Sequence, residues 1–441
     1  MPEIRAIHGL RYDLGHVGSL AEVISPPADE ITPEMVGKLY QRNPSNVVRV
    51  LTNQADLGDD ERINRYSRAA RFAADWQRWG VLRRDPDPAI YVYHQEFERN
   101  GQTFTRRGFL AGSLLSNDPD QQSSVQGAVD FWKTIPQSPD HHDPILMLRA
   151  TGMNVEPKVE IYIDPTENTQ QILENAIATM TPLIAQDDAG VTHRLWPVTD
   201  HHVIGAVREA MAHRLSFQTS HRDADFYRHF LQKQLGGELP SNHPAHAVLT
   251  AFFPLTEPNY PGVPQCGLFQ EAPAMSSTQL MEHLAPFVEC FPYGQSENAT
   301  EEILQQLSDI NVPGFMALYC FQDQQWVIAS PTDLGLAQMK ELLPDVPAAY
   351  RDLDRTILEH LILLKLNVRF KPDVSYLENL DRLRSSLRTD SPTRYTIATL
   401  VRSPSPEELE SLWLEDDDLY FEPPRGFDPK PACGLVFNPL T

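Results

Sequence analysis

Cysteine is scarce in this chain of 441 residues, and the four that occur share no paired spacing. They are Cys266, Cys290, Cys320 and Cys433. Isolated thiols of this kind are typical of a reducing compartment, where disulfides rarely persist. We therefore expect reduced, mostly buried thiols rather than a disulfide framework or a zinc site.

Long apolar runs are also lacking. No stretch approaches the roughly twenty apolar residues that a membrane-spanning helix needs, and residues 1–11 have no apolar core of the secretory type. We expect a cytoplasmic protein that is soluble and has no membrane partner.

Basic residues are outnumbered, with 37 Lys and Arg against 60 Asp and Glu, which gives a formal net charge of -23. Such a surface repels phosphate backbones, so nucleic acid is not an expected partner. The nearest approach to a basic patch is the stretch from Arg99 to Arg107, and an exposed strand face explains it at least as well.

Self-sufficient catalytic motifs are absent from the sequence. It has no phosphate-binding glycine loop, dinucleotide fingerprint, nucleophile elbow, cysteine ligand pair or His-Glu zinc helix. Eight of the fifteen histidines fall between His193 and His246, but none of the usual helical ligand spacings occurs among them. We expect no metal site, and we interpret these histidines as polar surface.

Periodicity in the sequence predicts both helices and hairpins. Apolar residues at helical spacing predict a helix over 59–79 that ends at Gly80. Alternating residues in Ile90–Phe97 and Thr103–Phe109, joined by Asn100-Gly101, predict a hairpin. Mixed hairpins and packed helices favour an α+β fold with mixed sheets.

Further elements follow along the chain, and a Pro-rich turn at 257–264 is a candidate lobe boundary. We expect an N-terminal lobe over 1–250 and a C-terminal lobe over 251–441, together forming one family unit. The predicted strands are Lys158–Ile163, His193–Pro197, Ala247–Leu255, Phe315–Phe321, Trp326–Ala329, Tyr395–Val401 and Gly434–Phe437, and the predicted helices are Gln170–Ile184, Asp200–His213 and Leu353–Lys365.

One segment combines a short strand, Leu215–Phe217, with a tight loop and a helix over Asp223–Leu235. A helix start presents free N–H groups, which makes this arrangement a ready site for an anion. An ordinary connection between two elements gives the same pattern.

Several short stretches recur together in one known family. They are Gly9-Leu-Arg11-Tyr12, Ile24-Ser-Pro26-Pro27-Ala-Asp29, Asn43-Pro44-Ser-Asn46-Val-Val-Arg49, Trp79-Gly80-Val-Leu82, Tyr91-Val-Tyr93-His-Gln95-Glu-Phe97, Arg106-Arg107-Gly108-Phe109, Leu148-Arg-Ala150-Thr-Gly, Leu353-Asp354, Tyr420-Phe421 and Gly434-Leu-Val436-Phe-Asn438-Pro439-Leu440. This ordered set, which spans about residues 4 to 440, resembles the family known as domain of unknown function 1015.

The resemblance implies a link to phosphate chemistry. The family's Asp-Gly-His-His-Arg segment is similar to the phosphate-handling loop of ParB-like and sulfiredoxin-like proteins, which include free-serine kinases. On that analogy the family binds nucleotide or transfers phosphate. Here the segment reads Gln218-Thr219-Ser220-His221-Arg222, so only the last two positions agree.

Other polar motifs of the family are replaced as well. Its His-Glu pair is Phe131-Trp132 here, its Pro-Thr-His-Arg is Pro264-Gln265-Cys266-Gly267, and its Lys-Ser-Thr is Asp417-Asp418-Leu419. Losing several cooperating polar groups usually ends catalysis. The departures therefore favour a weakly active or inactive relative of a phosphate-handling or nucleotide-handling family, and no cofactor other than a nucleotide is implied.

A set of polar residues survives and supplies the candidates for a small anionic ligand. They are Arg11, Asp29, Asn46, Arg49, His221 and Arg222. Arginine can fork onto a carboxylate or a phosphate, so binding can outlast chemistry. The alternative interpretation is that these residues only brace turns and strand ends, together with Pro26 and Pro27.

Two further functions are compatible with the sequence. One is an active phosphotransferase, such as a serine kinase-like enzyme, whose site is rebuilt from residues such as His141, His142 and Asp143. The other is an interaction scaffold that contacts a protein partner through the loop over 116–143 and the acidic run Glu415–Asp418.

Overall fold

The computed structural model describes residues 3–99, 101–114, 143–212, 214, 216–218, 243–256, 265–270, 272–294, 299–310, 312–344, 346–368, 376–377, 380–387, 395–415 and 429–440. Helices and mixed sheets occur together in these ranges, which confirms the predicted α+β class. The chain divides into two compact units. Unit 1 is Met1–Tyr260 with Pro429–Thr441, and unit 2 is Pro261–Asp428.

This division differs from the expected lobes in two respects. The expected boundary after residue 250 falls inside a strand of unit 1, ten residues before the division at Tyr260. The last residues, expected in the C-terminal lobe, belong to unit 1, because their backbone pairs with strands of that unit.

Unit 1 contains one large mixed sheet and two smaller pairs of strands. Its strands are β1 (Ile4–Arg5), β2 (Leu10–Tyr12), β3 (Leu82–Arg84), β4 (Ile90–Arg99), β5 (Gln102–Leu114), β6 (Met153–Asn154), β7 (Lys158–Tyr162), β8 (Leu183–Gln186), β9 (Thr192–Val198), β10 (Ser216–Gln218), β11 (Ala247–Pro254) and β18 (Asn438–Pro439). The sheet has the order β10-β7-β11-β5-β4-β9-β8, with β1 also on β5, while β2 pairs with β3 and β6 with β18.

The helices of unit 1 are α1 (Leu14–Val17), α2 (Pro33–Arg42), α3 (Val48–Leu51), α4 (Arg65–Arg78), α5 (Asp143–Thr151), α6 (Asn168–Ile177) and α7 (His201–Met211). Leu173 of α6 and Val207 of α7 pack against Val92 and Phe109 on one face of the sheet. The side chains on this face alternate with those on the other, as the period of a strand requires.

The predicted β4–β5 hairpin is confirmed, and its register explains one glycine. Tyr93 on β4 lies opposite Gly108 on β5. A Cβ at Gly108 would lie 2.2 Å from the carbonyl oxygen of Phe252 on β11, so only glycine lets these backbones approach.

Helix α4 is shorter than the sequence pattern predicts. It begins after Asn64, which forms a capping box with Ser67. The preceding residues form a turn, because Asp60 Oδ1 accepts hydrogen bonds from the amides of Arg62 and Ile63. The predicted end is confirmed, since Gly80 has φ +74°.

Helix α6 also ends earlier than predicted, at Ile177 rather than near Ile184. The residues from Leu183 form β8 instead, because this segment pairs with β9. The predicted helix start at Asp200 is confirmed by the bond from the His202 amide to the Asp200 carboxylate, 2.8 Å.

The return segment, residues 429–440, comes back to unit 1 after unit 2. Ser25 and Cys433 exchange two backbone hydrogen bonds, and so do Leu10 and Phe437. Asn438 then pairs with Asn154. This segment is almost entirely buried, so it is part of the core of unit 1.

Unit 2 contains the second large sheet, which is antiparallel and has the order β13-β15-β14-β17-β12-β16. Its strands are β12 (Gln265–Phe269), β13 (Val288–Gly294), β14 (Met316–Cys320), β15 (Gln325–Pro331), β16 (Tyr376–Leu377) and β17 (Ile397–Val401), and its helices are α8 (Ser277–Leu284), α9 (Ala299–Ile310), α10 (Asp333–Leu342), α11 (Ala348–Arg351), α12 (Asp354–Ile357), α13 (Leu380–Leu387) and α14 (Pro406–Glu415). The predicted apolar helix over 353–365 starts as α12 and continues as a π-helix, Leu358–Leu363.

Three of the four cysteine side chains, those of Cys266, Cys320 and Cys433, are buried as expected, and Cys290 is partly exposed. Burial raises the pKa of the Cys266 and Cys320 thiols to about 12. Among the helices of the described ranges, none is both long and apolar enough to cross a membrane.

Candidate functional site

Arg11, the first of the candidate ligand residues, lies on β2 and forks onto Asp85. Its Nε lies 2.8 Å from Oδ2 and its Nη2 lies 2.5 Å from Oδ1. The same carboxylate accepts a hydrogen bond from the Tyr91 hydroxyl at 2.7 Å, and that hydroxyl accepts one from the Gly9 amide. Arg11 is thus one member of a closed network that joins β2, β4 and the segment before β4.

Packing around this network requires the glycine of the Gly9-Leu-Arg11-Tyr12 motif. A Cβ at Gly9 would lie 2.4 Å from the Tyr91 hydroxyl oxygen. Burial, together with the neighbouring Asp85 carboxylate, raises the pKa of Tyr91 above its usual range, which keeps the phenol protonated as the donor.

Asp29 lies in a short 3-10 helix, Ala28–Glu30, at the surface of unit 1. Its carboxylate lies 2.5 Å from Nζ of Lys430 in the return segment. The amide of Ala28 donates to Oε2 of Glu156 at 3.3 Å. The motif around Asp29 therefore holds the return segment in place by an ion pair.

Asn46 is fully buried and braces the backbone around it. Its amide nitrogen donates to the carbonyl oxygens of Glu22 and Ile24, at 2.9 Å and 3.1 Å. Its Oδ1 accepts from the amide of Val48 at 3.0 Å. A side-chain amide that makes three backbone bonds has little capacity left for a ligand.

Arg49 lies on α3 between aromatic rings. Its guanidinium carbon lies 4.0 Å from the centre of the Tyr40 ring and 5.2 Å from that of Phe72. Its Nη2 donates to the Tyr40 carbonyl oxygen at 2.8 Å, and burial lowers its pKa. The residue packs α2, α3 and α4 together by cation–π contacts.

The remaining candidates, His221 and Arg222, lie outside the described residues and stay predictions. The strand predicted before them is confirmed as β10. In the described part of the chain, no side-chain hydrogen bond joins any two of Arg11, Asp29, Asn46 and Arg49. The side chain of each is bonded to other residues of unit 1.

A buried carboxylate that the sequence analysis missed lies beside β10. Glu160, in the middle of β7, is 3% exposed. Its two carboxylate oxygens accept bonds from the hydroxyls of Ser113 at 3.1 Å and Ser216 at 2.6 Å. The strand register places Gln218, the first residue of the predicted phosphate loop, opposite Glu160.

The signal that could have found Glu160 is its position in Lys158–Tyr162. A charged residue between Val159 and Ile161, in the centre of a predicted buried strand, requires polar partners. We name Glu160, Ser113 and Ser216 the Glu160 cluster. Because β7 pairs with β10, the cluster adjoins the strand that leads to the predicted loop.

A second buried network lies on the opposite face of the sheet. The Tyr93 hydroxyl lies 2.8 Å from Nδ1 of His193, and Nε2 of that histidine lies 3.1 Å from Oδ2 of Asp187. Burial raises the pKa of Tyr93 above its usual range. The backbone of Ala432, in the return segment, lies close to the Tyr93 hydroxyl and partly offsets this rise in pKa.

Arg106 and Gln95, both completely buried, hold the same segment. Arg106 Nη1 donates to the carbonyl oxygen of Pro429 at 2.7 Å, and Gln95 Nε2 donates to that of Lys430 at 3.0 Å. The motifs around Tyr93 and Arg106 therefore serve to bind the return segment.

Chemically, these arrangements join charged and polar side chains to partners within unit 1. Within the described ranges, no group of three or more His, Cys, Asp and Glu side chains is arranged to hold a metal ion. The protein is an α+β protein of two units whose polar motifs lie mainly in buried bracing networks.

The sequence model of one family, described as protein of unknown function (DUF1015), matches residues 4–354. That range covers more than half of the 441 residues, so the chain belongs to this family. No curated protein and no solved structure gives a significant match.

Proposed function

We propose that this chain is a divergent member of its family, weakly active or inactive in phosphate chemistry, which retains at most a site for a small anionic ligand. The observation that carries the proposal is the fork of Arg11 onto Asp85. An arginine already bound by two bonds to an internal carboxylate is not available to a phosphate.

Energetics favour the bracing role over a binding role for Arg11. Releasing its guanidinium to a ligand would leave the Asp85 carboxylate, 8% exposed, without its cation. Breaking a buried pair in this way costs about 3–5 kcal/mol. A weak ligand interaction cannot offset that cost. Asn46 and Asp29 support the same view, since both are bonded within unit 1.

The anionic site of the proposal is assigned to His221 and Arg222 on the sequence alone. The formal net charge of -23 disfavours a highly charged anionic ligand, because the protein surface repels it. We therefore propose inorganic phosphate or phosphoserine, rather than ATP, as the class of ligand.

Thermal-shift measurements with phosphate, phosphoserine, serine, ADP and ATP test this proposal, together with a turnover assay for each nucleotide. We expect phosphate or phosphoserine to raise the melting temperature by a few degrees, with no turnover. The double variant His221→Ala/Arg222→Ala should lose the shift. The matched control is His202→Ala/Arg208→Ala, which removes an exposed histidine and arginine from α7 and should keep it.

Two results would refute parts of the proposal separately. Rapid turnover of a nucleotide with serine would refute weak or absent activity. A shift that survives in the His221→Ala/Arg222→Ala variant, or that no phosphate ligand produces, would refute the assigned anionic site.

A second candidate function is an active phosphotransferase with a rebuilt site. Of the residues predicted for it, His141 and His142 lie outside the described residues, as does the side chain of Asp143. The Glu160 cluster favours this candidate, because a carboxylate beside a serine hydroxyl is the pairing that a general base requires.

Glu160→Gln tests the second candidate in any assay that detects phosphate transfer. A general base should lose at least a hundredfold in kcat when its carboxylate becomes an amide. Glu156→Gln, which changes a carboxylate next to the start of β7, is the control. An unchanged kcat in Glu160→Gln would exclude this carboxylate as the base.

A further inference from the structure

Arg402, directly after β17 in unit 2, lies between two carboxylates. It is 5% exposed, and so is the side chain of Asp354, whereas Glu408 is 24% exposed. Arg402 Nη2 lies 2.5 Å from Oε1 of Glu408 and Nη1 lies 2.8 Å from Oε2. This pair is bidentate and ties the end of β17 to the first turn of α14.

The contact between Arg402 and Asp354 is different in kind. Arg402 Nε lies 2.9 Å from Asp354 Oδ2, but the two groups are not aligned for a hydrogen bond. Neither atom has a hydrogen-bond partner in the described part of the chain. Asp354 is held through its other oxygen, Oδ1, which accepts a bond from the Gly314 amide at 2.5 Å.

A count of charges shows why this cluster is sensitive to protons. One guanidinium faces two carboxylates, so the cluster carries one excess negative charge when both acids are ionised. The groups that face Asp354 are Arg402 directly after β17, Glu408 from α14 and the Gly314 amide before β14. On its own helix, Arg355 is paired with Glu359.

An excess buried charge is costly unless a proton neutralises it. Asp354 is the better site for that proton, because it is more deeply buried than Glu408 and has the less directed contact with the arginine. Burial raises the pKa of Asp354 to about 7, against the opposing effect of Arg402.

We propose that Asp354, Arg402 and Glu408 form a proton-operated latch in unit 2, which holds α12 against the Gly314 turn while Asp354 is protonated and loosens when that proton is lost. The Arg402–Glu408 pair stays closed in both states. The π-helix Leu358–Leu363 continues directly from α12, and such wide turns often occur at functional positions.

Hydrogen–deuterium exchange of the full chain tests the latch at pH 6 and pH 8.5, with intermediate pH values to locate the midpoint, after correction for intrinsic exchange rates. Peptides covering residues 354–363 should lose about tenfold in protection at the higher pH. The reason is that the equilibrium constant for folding falls about tenfold per pH unit until the pH reaches the folded-state pKa near 7. Glu341→Gln, which removes an exposed charge from α10, should behave as the wild type.

Two variants distinguish the latch from a general effect of pH. Asp354→Asn should show equal protection at both pH values. Glu408→Gln removes the excess charge while keeping Asp354, so the midpoint of the transition should move to lower pH. The latch is refuted if the wild type shows no pH response, or if the midpoint is unchanged in Glu408→Gln. The Glu408→Gln result tests the latch even where Asp354→Asn fails to fold.

Discussion

The Tyr93 hydroxyl and Nδ1 of His193 lie 2.8 Å apart in the centre of the unit 1 sheet. Nε2 of the same histidine lies 3.1 Å from Oδ2 of Asp187 in a surface turn. The retained Tyr91–Phe97 motif thus contacts this turn through Tyr93 and His193, and it bonds the return segment through Gln95, which gives the motif a structural purpose.

Removing this hydroxyl should destabilise unit 1. Tyr93→Phe leaves His193 Nδ1 without its partner in a buried position, which should cost about 1–3 kcal/mol of the free energy of unfolding. Chemical denaturation followed by tryptophan fluorescence measures the loss. Tyr162→Phe is the matched control, because the equally buried Tyr162 hydroxyl has no hydrogen-bond partner in the described part of the chain. An equal loss in both variants would contradict the assigned role of Tyr93.

Arg11→Met should lower stability by about 3 kcal/mol, because it strands the Asp85 carboxylate in a buried position. Arg83→Met, on the neighbouring strand, removes an arginine that is 67% exposed and paired with Asp13. Such exposed pairs contribute about 0–1 kcal/mol, so the control should melt close to the wild type. If Arg11→Met is as stable as the control, Arg11 does not brace the fold and returns to the candidate ligand residues.

Gly9→Ala should destabilise the protein by about 1–3 kcal/mol, since its Cβ would lie 2.4 Å from the Tyr91 hydroxyl and 2.8 Å from Val436. Gly37→Ala, in the interior of α2, meets no atom within 4 Å. That control should gain up to about 1 kcal/mol from helix propensity. Differential scanning calorimetry compares the two, and opposite signs of the shift in melting temperature are expected.

Asp354 should make the stability of the protein depend on pH. Because its folded-state pKa, about 7, lies above its usual value of 3.8, its contribution is fully present below pH 4 and is lost as the pH rises to 7. Asp354→Asn should therefore be more stable than the wild type at pH 8, with a smaller or reversed difference at pH 5. Melting curves at both pH values check this, and a difference that does not vary with pH would contradict it.

The elements that follow from the sequence are those with local causes. The β4–β5 hairpin is determined by alternation and a tight turn, and the start of α7 by the Asp200 cap. The fork of Arg11 onto Asp85 joins residues 74 positions apart, and Glu160 meets Ser113 and Ser216 at 47 and 56 positions. No local pattern encodes such pairings. Reasoning from the sequence therefore proposes Arg11, Asp29, Asn46 and Arg49 for ligand binding, whereas their described partners lie within the protein.

Helix boundaries show the same limit. The apolar spacing continues from Asp59 to Trp79, yet α4 begins only after Asn64, because side-chain bonds of Asp60 stabilise a turn. The spacing likewise continues past Ile177, where pairing with β9 converts the next residues to strand. In both places a competing hydrogen bond, rather than hydrophobicity, determines where the helix lies.

The return segment also has a consequence for the order of events during translation. Residues 429–440 fill positions in the core of unit 1, yet a ribosome synthesises them only after all of unit 2. A nascent unit 1 must wait for the bonds that Gln95 and Arg106 make to this segment, while unit 2 already has its whole sequence. Unit 2 can therefore finish folding first, although more than half of unit 1 leaves the ribosome before it.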